Sequence, residues 1–296
     1  MMPTEAAPPR SDEHRITVLG AGTMGAGITS LALGHGVPVT LVDVDQAALD
    51  RARARIDHQK RVAQLMGAVP EGAAPGELST TTSLDSTADA TVVVEAVTEQ
   101  YDLKSVLLTE VGARTKPGTV LITNTSSIPV DDLAGYLARP GELVGTHFMN
   151  PPYLIRTVEV VQGPRTSQHV LDVLDDLLRT LRRESVVVSD APGFVTSRLL
   201  HPMINDAARV VQEGTASAED VDVLMVGCLG HRTGPLRTAD MIGLDNLVDS
   251  LWVLHERTGD ERCRPCDLLL KKVEAGDHGR KSGRGFFTYE RTEQLS

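Results

Sequence analysis

The apolar pattern of this chain changes character near residue 190. Before that point, short β-branched runs recur, with helical patterns between several of them. Residues 15–20 (RITVLG) and 37–43 (VPVTLVD) read as strands of a buried parallel sheet, and 23–35 and 45–66 as helices. The Gly/Pro/Ala-rich stretch 67–77 is a break. Further strands are predicted at 91–95, 119–123, 143–148, 157–161 and 185–189, with helices at 102–114 and 167–182. Strands alternating with helices imply a mostly parallel, doubly wound sheet. From 192 onward the strand pattern stops. Helices are predicted at 194–212, at 217–226 behind a Ser-x-x-Asp capping signal, and near 237–241, 246–256 and 266–275. The expected organisation is a tail over 1–14 that is polar and disordered, a Rossmann-type domain over 15–190, and an all-α domain over 191–296, with Asp-Ala-Pro-Gly at the break.

The 296 residues are compatible with two domains, and 41% apolar and 23% charged residues describe an ordinary soluble globular protein. No run approaches the roughly 20 apolar residues of a membrane span, and the polar start has no signal-peptide core, so a cytoplasmic protein without a membrane partner is expected. A net charge of −11 without a basic tract argues against nucleic acid. Cys228, Cys263 and Cys266 are too few for a disulfide framework. Cys263-Arg264-Pro265-Cys266 has no second pair to complete a zinc site, so no metal is expected.

Gly20-Ala21-Gly22-Thr23-Met24-Gly25 is a G-x-G-x-x-G turn between a strand and a helix, the context a dinucleotide fingerprint requires. Its glycines allow a tight turn, close approach to a pyrophosphate and close helix–strand packing. Asp43 ends the second strand, placed to bind a ribose diol, and Val44 follows where an arginine would favour a 2′-phosphate. NAD is therefore expected over NADP. Glu95 to Glu99 end the strand at 91–95 and Lys104 lies in the next helix, on the sheet edge where ligands bind, so the segment offers a Glu–Lys pair near a nicotinamide ribose or a surface ion pair at a helix start. Asn124-Thr125-Ser126-Ser127 ends another strand there, and its short side chains can cap the helix starting near Val130 or hydrogen-bond a substrate oxygen. His147 ends a strand, and a hairpin-like return can bring Glu159 beside it. A carboxylate on Nδ1–H fixes the tautomer and leaves Nε2 to take a proton. Asn150, just past His147, can hold the loop or the substrate. A hydride acceptor plus a base for a hydroxyl proton is the minimum equipment of an alcohol dehydrogenase.

The segments GAGTMGAGI, VVVEAVTE, NTSS, GTHFMNPP with VEV, APGFVTSRLL, GTASAEDVD, GHRTGPLRTADMIGLD and GRKSGRGFFTY together resemble the 3-hydroxyacyl-CoA dehydrogenase (3-hydroxybutyryl-CoA dehydrogenase) family, nearly end to end. The resemblance implies an N-terminal NAD-binding domain and a helical C-terminal domain that makes a homodimer. It implies His147 as base, Glu159 as its partner, Ser126 as a contact to the substrate oxygen, and cofactor-side roles for Glu99 and Lys104. The implied reaction is oxidation of the 3-hydroxyl of a 3-hydroxyacyl thioester, or its reversal.

Two departures bear on the substrate. The family places asparagine before the arginine of P-G-F-x-x-N-R, and this chain has Ser197 before Arg198. The helical hairpin after the second strand, which in the family helps hold the CoA nucleotide, has only its first arm, around 51–61. The acyl group can then arrive on CoA or on an acyl carrier protein, as in relatives that oxidise a glyceryl-carrier-protein thioester to make hydroxymalonyl or methoxymalonyl polyketide extender units. A non-catalytic NAD-binding protein is the rival outside the enzymes, and it would not require His147, Glu159 and Ser126 together.

Overall fold

The computed structural model describes residues 14–289 apart from 71 and 73. The chain divides into two compact units, Met1–Ala191 and Pro192–Ser296. The expected disordered tail lies outside the described residues up to 13. Its last residue, His14, does not belong to a tail: it is 1% exposed, and its Nε2 lies 3.0 Å from Asp176 Oδ2.

The first unit is built on eight strands: β1 (Ile16–Leu19), β2 (Val39–Val42), β3 (Leu78–Thr81), β4 (Val92–Glu95), β5 (Val120–Asn124), β6 (Leu143–His147), β7 (Thr157–Gln162) and β8 (Glu184–Ser189). Their order across the sheet is β3-β2-β1-β4-β5-β6-β7-β8. Strands β1 to β6 are mutually parallel, and β7 and β8 run the other way as a parallel pair. The helices are α1 (Thr23–Gly34), α2 (Gln46–Leu65), α3 (Tyr101–Arg114), α4 (Val130–Ala134) and α5 (Gln168–Thr180). This is a doubly wound Rossmann-type sheet with a reversed two-stranded extension. The order turns back on either side of β1, so β1 and β4 flank the switch point where such sheets bind ligands.

The central strands are apolar on both faces because helices cover both. Val18, Leu41, Val92, Val120 and Val144 are all essentially buried. α2 buries the stripe Leu49, Ala52, Ile56 and Ala63 and keeps its arginines outside. Asp45 caps it, its carboxylate accepting from Ala47 N at 2.9 Å. β3 escapes the apolar pattern because it is an edge strand of sequence LSTT, half-buried at most. Its pairing with β2 makes it a strand; its side chains do not.

The second unit contains α6 (Thr196–Gln212), α7 (Ala218–Leu229), α8 (Pro235–Ile242), α9 (Leu244–Thr258) and α10 (Asp267–Glu274). Ile204, Leu236, Leu247, Leu251 and Leu269 form its core. α6 begins later than the apolar pattern predicts, because Gly193 and Phe194 have φ of 69° and 51° and turn the chain before the first helical residue. Buried polar side chains tie the helices together. Asn205 donates to the carbonyls of Arg262 and Arg264 and accepts from Cys266 N at 2.9, 2.7 and 2.9 Å. Asp222 accepts from Leu236 N and Arg237 N, closing the start of α8. Asp240 accepts from Phe286 N, Phe287 N and the Tyr289 hydroxyl. Cys263 and Cys266 are buried free thiols, and burial pushes both up from the ordinary thiol value. Among the described residues no group of His, Cys, Asp or Glu is arranged to hold a metal, and no helix is long and apolar enough to cross a membrane.

Candidate active site

At the switch point the glycines do three different jobs. Gly20, after β1, has φ +100°, and a Cβ there would sit 2.7 Å from the Ala96 carbonyl oxygen. A Cβ on Gly25 would sit 1.8 Å from the Gly20 oxygen. Both positions are closed to any side chain. At Gly22 a Cβ would meet nothing within 4 Å. Gly22 is the N-cap of α1 and offers no side-chain bond, so the first-turn N–H groups keep their capacity for an anion. Thr23 and Met24 form that first turn. Open space over a glycine at a helix N-terminus fits the pyrophosphate of a dinucleotide.

Asp43, one residue past β2, accepts from Ala21 N at 2.7 Å and from Asp45 N at 3.0 Å. The carboxylate thus fastens the glycine turn to the end of β2. A carboxylate has about four acceptor positions, so capacity remains for ribose hydroxyls. Val44 beside it is 95% exposed and offers no positive charge to a 2′-phosphate.

The next edge, over β4 and β5, carries a buried ionic network. Glu95 and Lys104 are both 0% exposed. Lys104 Nζ lies 2.7 and 2.9 Å from the two Glu95 oxygens, 3.1 Å from the Asn124 carbonyl and 3.2 Å from Glu99 Oε2. Glu95 also accepts from Val97 N and from Thr123 Oγ1. Burial holds the Glu95 carboxyl above its ordinary value, and the Lys104 ammonium with the Thr123 and Val97 hydrogen bonds offsets only part of that rise. Glu99 Oε1 in turn accepts from Thr125 Oγ1 at 2.5 Å, Ser126 N at 2.8 Å and Ser127 N at 3.3 Å. The loop after β5 is therefore held by Glu99. Thr125 Oγ1 turns inward to Ser127 N and Ile128 N. α4 starts behind Pro129, and its first turn is capped by Asp190, whose carboxylate accepts from Asp131 N at 2.8 Å, so the helix-capping role open to these short side chains is filled by another residue.

At β6 and β7 the antiparallel register pairs His147 directly with Glu159. His147 Nδ1 lies 3.1 Å from Glu159 Oε2, and the two residues are 7% and 6% exposed. The carboxylate selects the Nδ1–H tautomer, which makes Nε2 the basic nitrogen. Asn124 Oδ1 accepts from Phe148 N at 3.2 Å and so ties the end of β5 to the residue after His147. Asn150 lies exposed in the following loop.

Of the residues singled out from the sequence, Gly20, Gly22, Gly25 and Asp43 come together at the switch point. Glu99, Lys104, Asn124 and Ser126 form one network beside it, and His147 pairs with Glu159. Ser197 is buried in the first turn of α6, in the second unit. Glu95, Thr123 and Thr125 carry as much of this network as the residues singled out. The available signal was an ionisable residue closing an otherwise apolar strand, VVVE, since glutamate is rarely buried without a partner.

Sequence models of the 3-hydroxyacyl-CoA dehydrogenase NAD binding domain and C-terminal domain match residues 15–191 and 193–289. The chain is 39% identical to a probable 3-hydroxybutyryl-CoA dehydrogenase of Deinococcus radiodurans, over 92% of this chain and 99% of that one. It is also 39% identical to a probable 3-hydroxybutyryl-CoA dehydrogenase of Bacillus subtilis, over 93% and 97%. Among solved structures it is similar to M. tuberculosis FadB2, with a TM-score of 0.88 at 36% identity over 94% of this chain and 99% of that one. The (S)-3-hydroxybutyryl-CoA dehydrogenase PaaH1 from Ralstonia eutropha follows with 0.85 at 34% identity, over 94% and 99%. Glycine turn, NAD-binding sheet and helical second unit thus have one common explanation: the chain belongs to the 3-hydroxyacyl-CoA dehydrogenase family, NAD-dependent oxidoreductases acting on CH–OH groups.

Proposed function

We propose that this protein oxidises the 3-hydroxyl of a short 3-hydroxyacyl-CoA, with His147 as the base. The observation that carries the reading is the His147 Nδ1–Glu159 Oε2 bond at the carboxyl edge of an NAD-binding sheet. His147 Nε2 takes the hydroxyl proton, and the buried Glu159 carboxylate stabilises the imidazolium as it forms. NAD, when bound, supplies the hydride acceptor. Ser126, held by Glu99, hydrogen-bonds the substrate oxygen, and Ser197, where the family has asparagine, is a substrate-binding residue. Asn150 holds the substrate-side loop. Gly20, Gly22, Thr23, Met24, Gly25 and Asp43 bind the dinucleotide, with Glu99, Lys104 and Asn124 on its nicotinamide side. The exposed apolar face of α7, with Val223, Leu224 and Leu229 each more than half exposed, supports a homodimer. Three free cysteines suit a reducing, cytoplasmic setting.

A second reading, oxidation of an acyl-carrier-protein thioester in extender-unit synthesis, is favoured by the region after α2. The helix stands as a single arm whose end leaves Leu65 and Met66 88% and 65% exposed, and no helix is assigned between it and β3 among the described residues. Arg55 and Arg61 project from the same helix, exposed and outside any ion pair among the described residues, as an acidic carrier would require.

The decisive experiment follows NADH formation with one 3-hydroxybutyryl group presented on CoA, on a carrier protein and on N-acetylcysteamine. CoA is expected to give the highest kcat/KM. Preference for the carrier protein selects the second reading, and no NADH from any of the three removes both.

A further inference from the structure

The Ser126 loop is held at both ends. At its front, Glu99 accepts from Ser126 N and Ser127 N. At its back the chain enters α4, and Asp190, the residue after β8, closes that helix: Oδ2 accepts from Asp131 N at 2.8 Å. Asp190 is fixed in turn by its own N–H, which donates to the Gln162 carbonyl at the end of β7 at 3.1 Å. Burial holds the Asp190 carboxyl above its ordinary value, and hydrogen bonds from the Asp131 and Val130 N–H groups offset part of that rise, to which the charges of Asp131 and Asp132 add. Arg165 clamps the same turn from the connection between β7 and α5, with Nε 2.7 Å from Asp131 Oδ1. α4 has five residues, too few to hold a helix without such anchors. It also rests on the strand of the proposed base. Val130 is 0% exposed, and a Cβ on Gly145 would sit 2.5 Å from Val130 Cγ2. Gly145 lies on β6, two residues before His147.

We infer that Asp190 is a positioning residue: its carboxylate seats α4, and through α4 it sets the Ser126 loop and the His147 strand in mutual register. The inference rests on the proposed roles of Ser126 and His147. Its weight comes from the two attachments of α4, which follows the Ser126 loop along the chain and packs on β6 through Val130. A carboxylate bond to a backbone N–H is about twice as strong as a neutral one, so the cap is the firmest hold on the first turn. Without it the loop keeps only its front anchor. Misplacement of a reacting group by about 1 Å costs roughly 10²-fold in rate. The helical unit supplies a control. Asp222 makes the same kind of cap, accepting from Leu236 N and Arg237 N at the start of α8, and α8 carries none of the proposed site residues.

The test is Asp190→Ala beside Asp222→Ala, with turnover counted per NADH-binding site so that unfolded protein drops out of the comparison. Both variants lose a helix cap, and both should melt at a lower temperature. Asp190→Ala is expected to lower kcat per site by roughly 10- to 100-fold. KM should change far less, because the cap governs the placement of the oxygen contact and the base and touches no part of the thioester. Unchanged kcat per site in Asp190→Ala overturns the inference, and so does a loss matched by Asp222→Ala. A raised KM with kcat retained overturns it as well, since only uniform binding would then have been lost. Should Asp190→Ala not fold, Asp190→Asn decides. The amide keeps an acceptor without the charge, so kcat lowered severalfold supports the inference and unchanged kcat overturns it. His147→Gln measured alongside separates the two levels: if it keeps full turnover the proposed base is wrong, and if it loses turnover while the Asp190 variants do not, the positioning role alone fails.

Discussion

Both units bury polar side chains, and they use them differently. In the helical unit, Asn205, Asp222 and Asp240 direct most of their hydrogen bonds to backbone groups: the carbonyls of Arg262 and Arg264, and the N–H groups of Leu236, Arg237, Phe286 and Phe287. They replace the ladder that helices lack between one another. In the sheet unit the ladder already joins the elements, so buried polar residues at the strand ends are free to meet other side chains: Glu95 meets Lys104, and Glu159 meets His147. A buried polar residue saturated by backbone reads as architecture, whereas one paired with a titratable side chain at the carboxyl edge of a parallel sheet reads as chemistry.

That contrast breaks most directly at His147. His147→Gln should lower kcat by roughly 10³-fold, within the range for general-base help, while the melting temperature and NADH Kd hold. Retention of more than about a tenth of the turnover would show that the residue is architectural after all. Asn205→Ala is the mirror image. It strands two carbonyls and one N–H in a fully buried site, at about 1–3 kcal/mol for an unsatisfied group and more for several. Chemical denaturation should show a lower midpoint with the slope unchanged, and NADH affinity should not move.

Glu159→Gln sharpens the comparison within one site. The amide still occupies the space and can accept from Nδ1, but it no longer stabilises the imidazolium. A loss of roughly 10- to 100-fold in kcat, smaller than that of His147→Gln, is expected. Equal losses would mean that the pair acts only as a unit. Asp43→Ser should move neither fold nor turnover at saturating NAD. It should narrow the ratio of kcat/KM for NAD over NADP, and an unchanged ratio would take the ribose contact away from Asp43.

The smallest effect concerns His35 at the end of α1. Burial, with Arg183 and Arg182 nearby, holds this histidine below its ordinary value of 6.5, against the hydrogen bond to the Leu31 carbonyl. A base with a lowered folded value stabilises the fold above 6.5 and loses that contribution as pH falls through the window just below it. Stability measured from pH 7.5 down to about 5 should decline less steeply in His35→Gln than in the unmodified protein. Parallel curves would show that the ring does not titrate against folding.

The helix–strand alternation, the glycine turn and the change of class near residue 190 were all legible in the amino-acid pattern. Each rests on local chemistry: apolar periodicity within one element, or a turn in which Gly20 and Gly25 tolerate nothing larger. The His147–Glu159 pairing was legible too, because a short antiparallel return fixes which residues face each other across twelve positions. Edge strand β3, the late start of α6, and the burial of the Glu–Lys pair with its extension through Thr123 were not. A strand of LSTT is made a strand by its neighbour, and Phe194 at positive φ interrupts an apolar pattern that gives no warning of it. Thr123 lies 28 positions from Glu95, and only the ladder between β4 and β5 makes them partners. Periodicity reports which side of an element turns inward; what waits there depends on strand order and register, and burial then decides whether a glutamate and a lysine nine residues apart are two solvated charges or one enclosed ion pair.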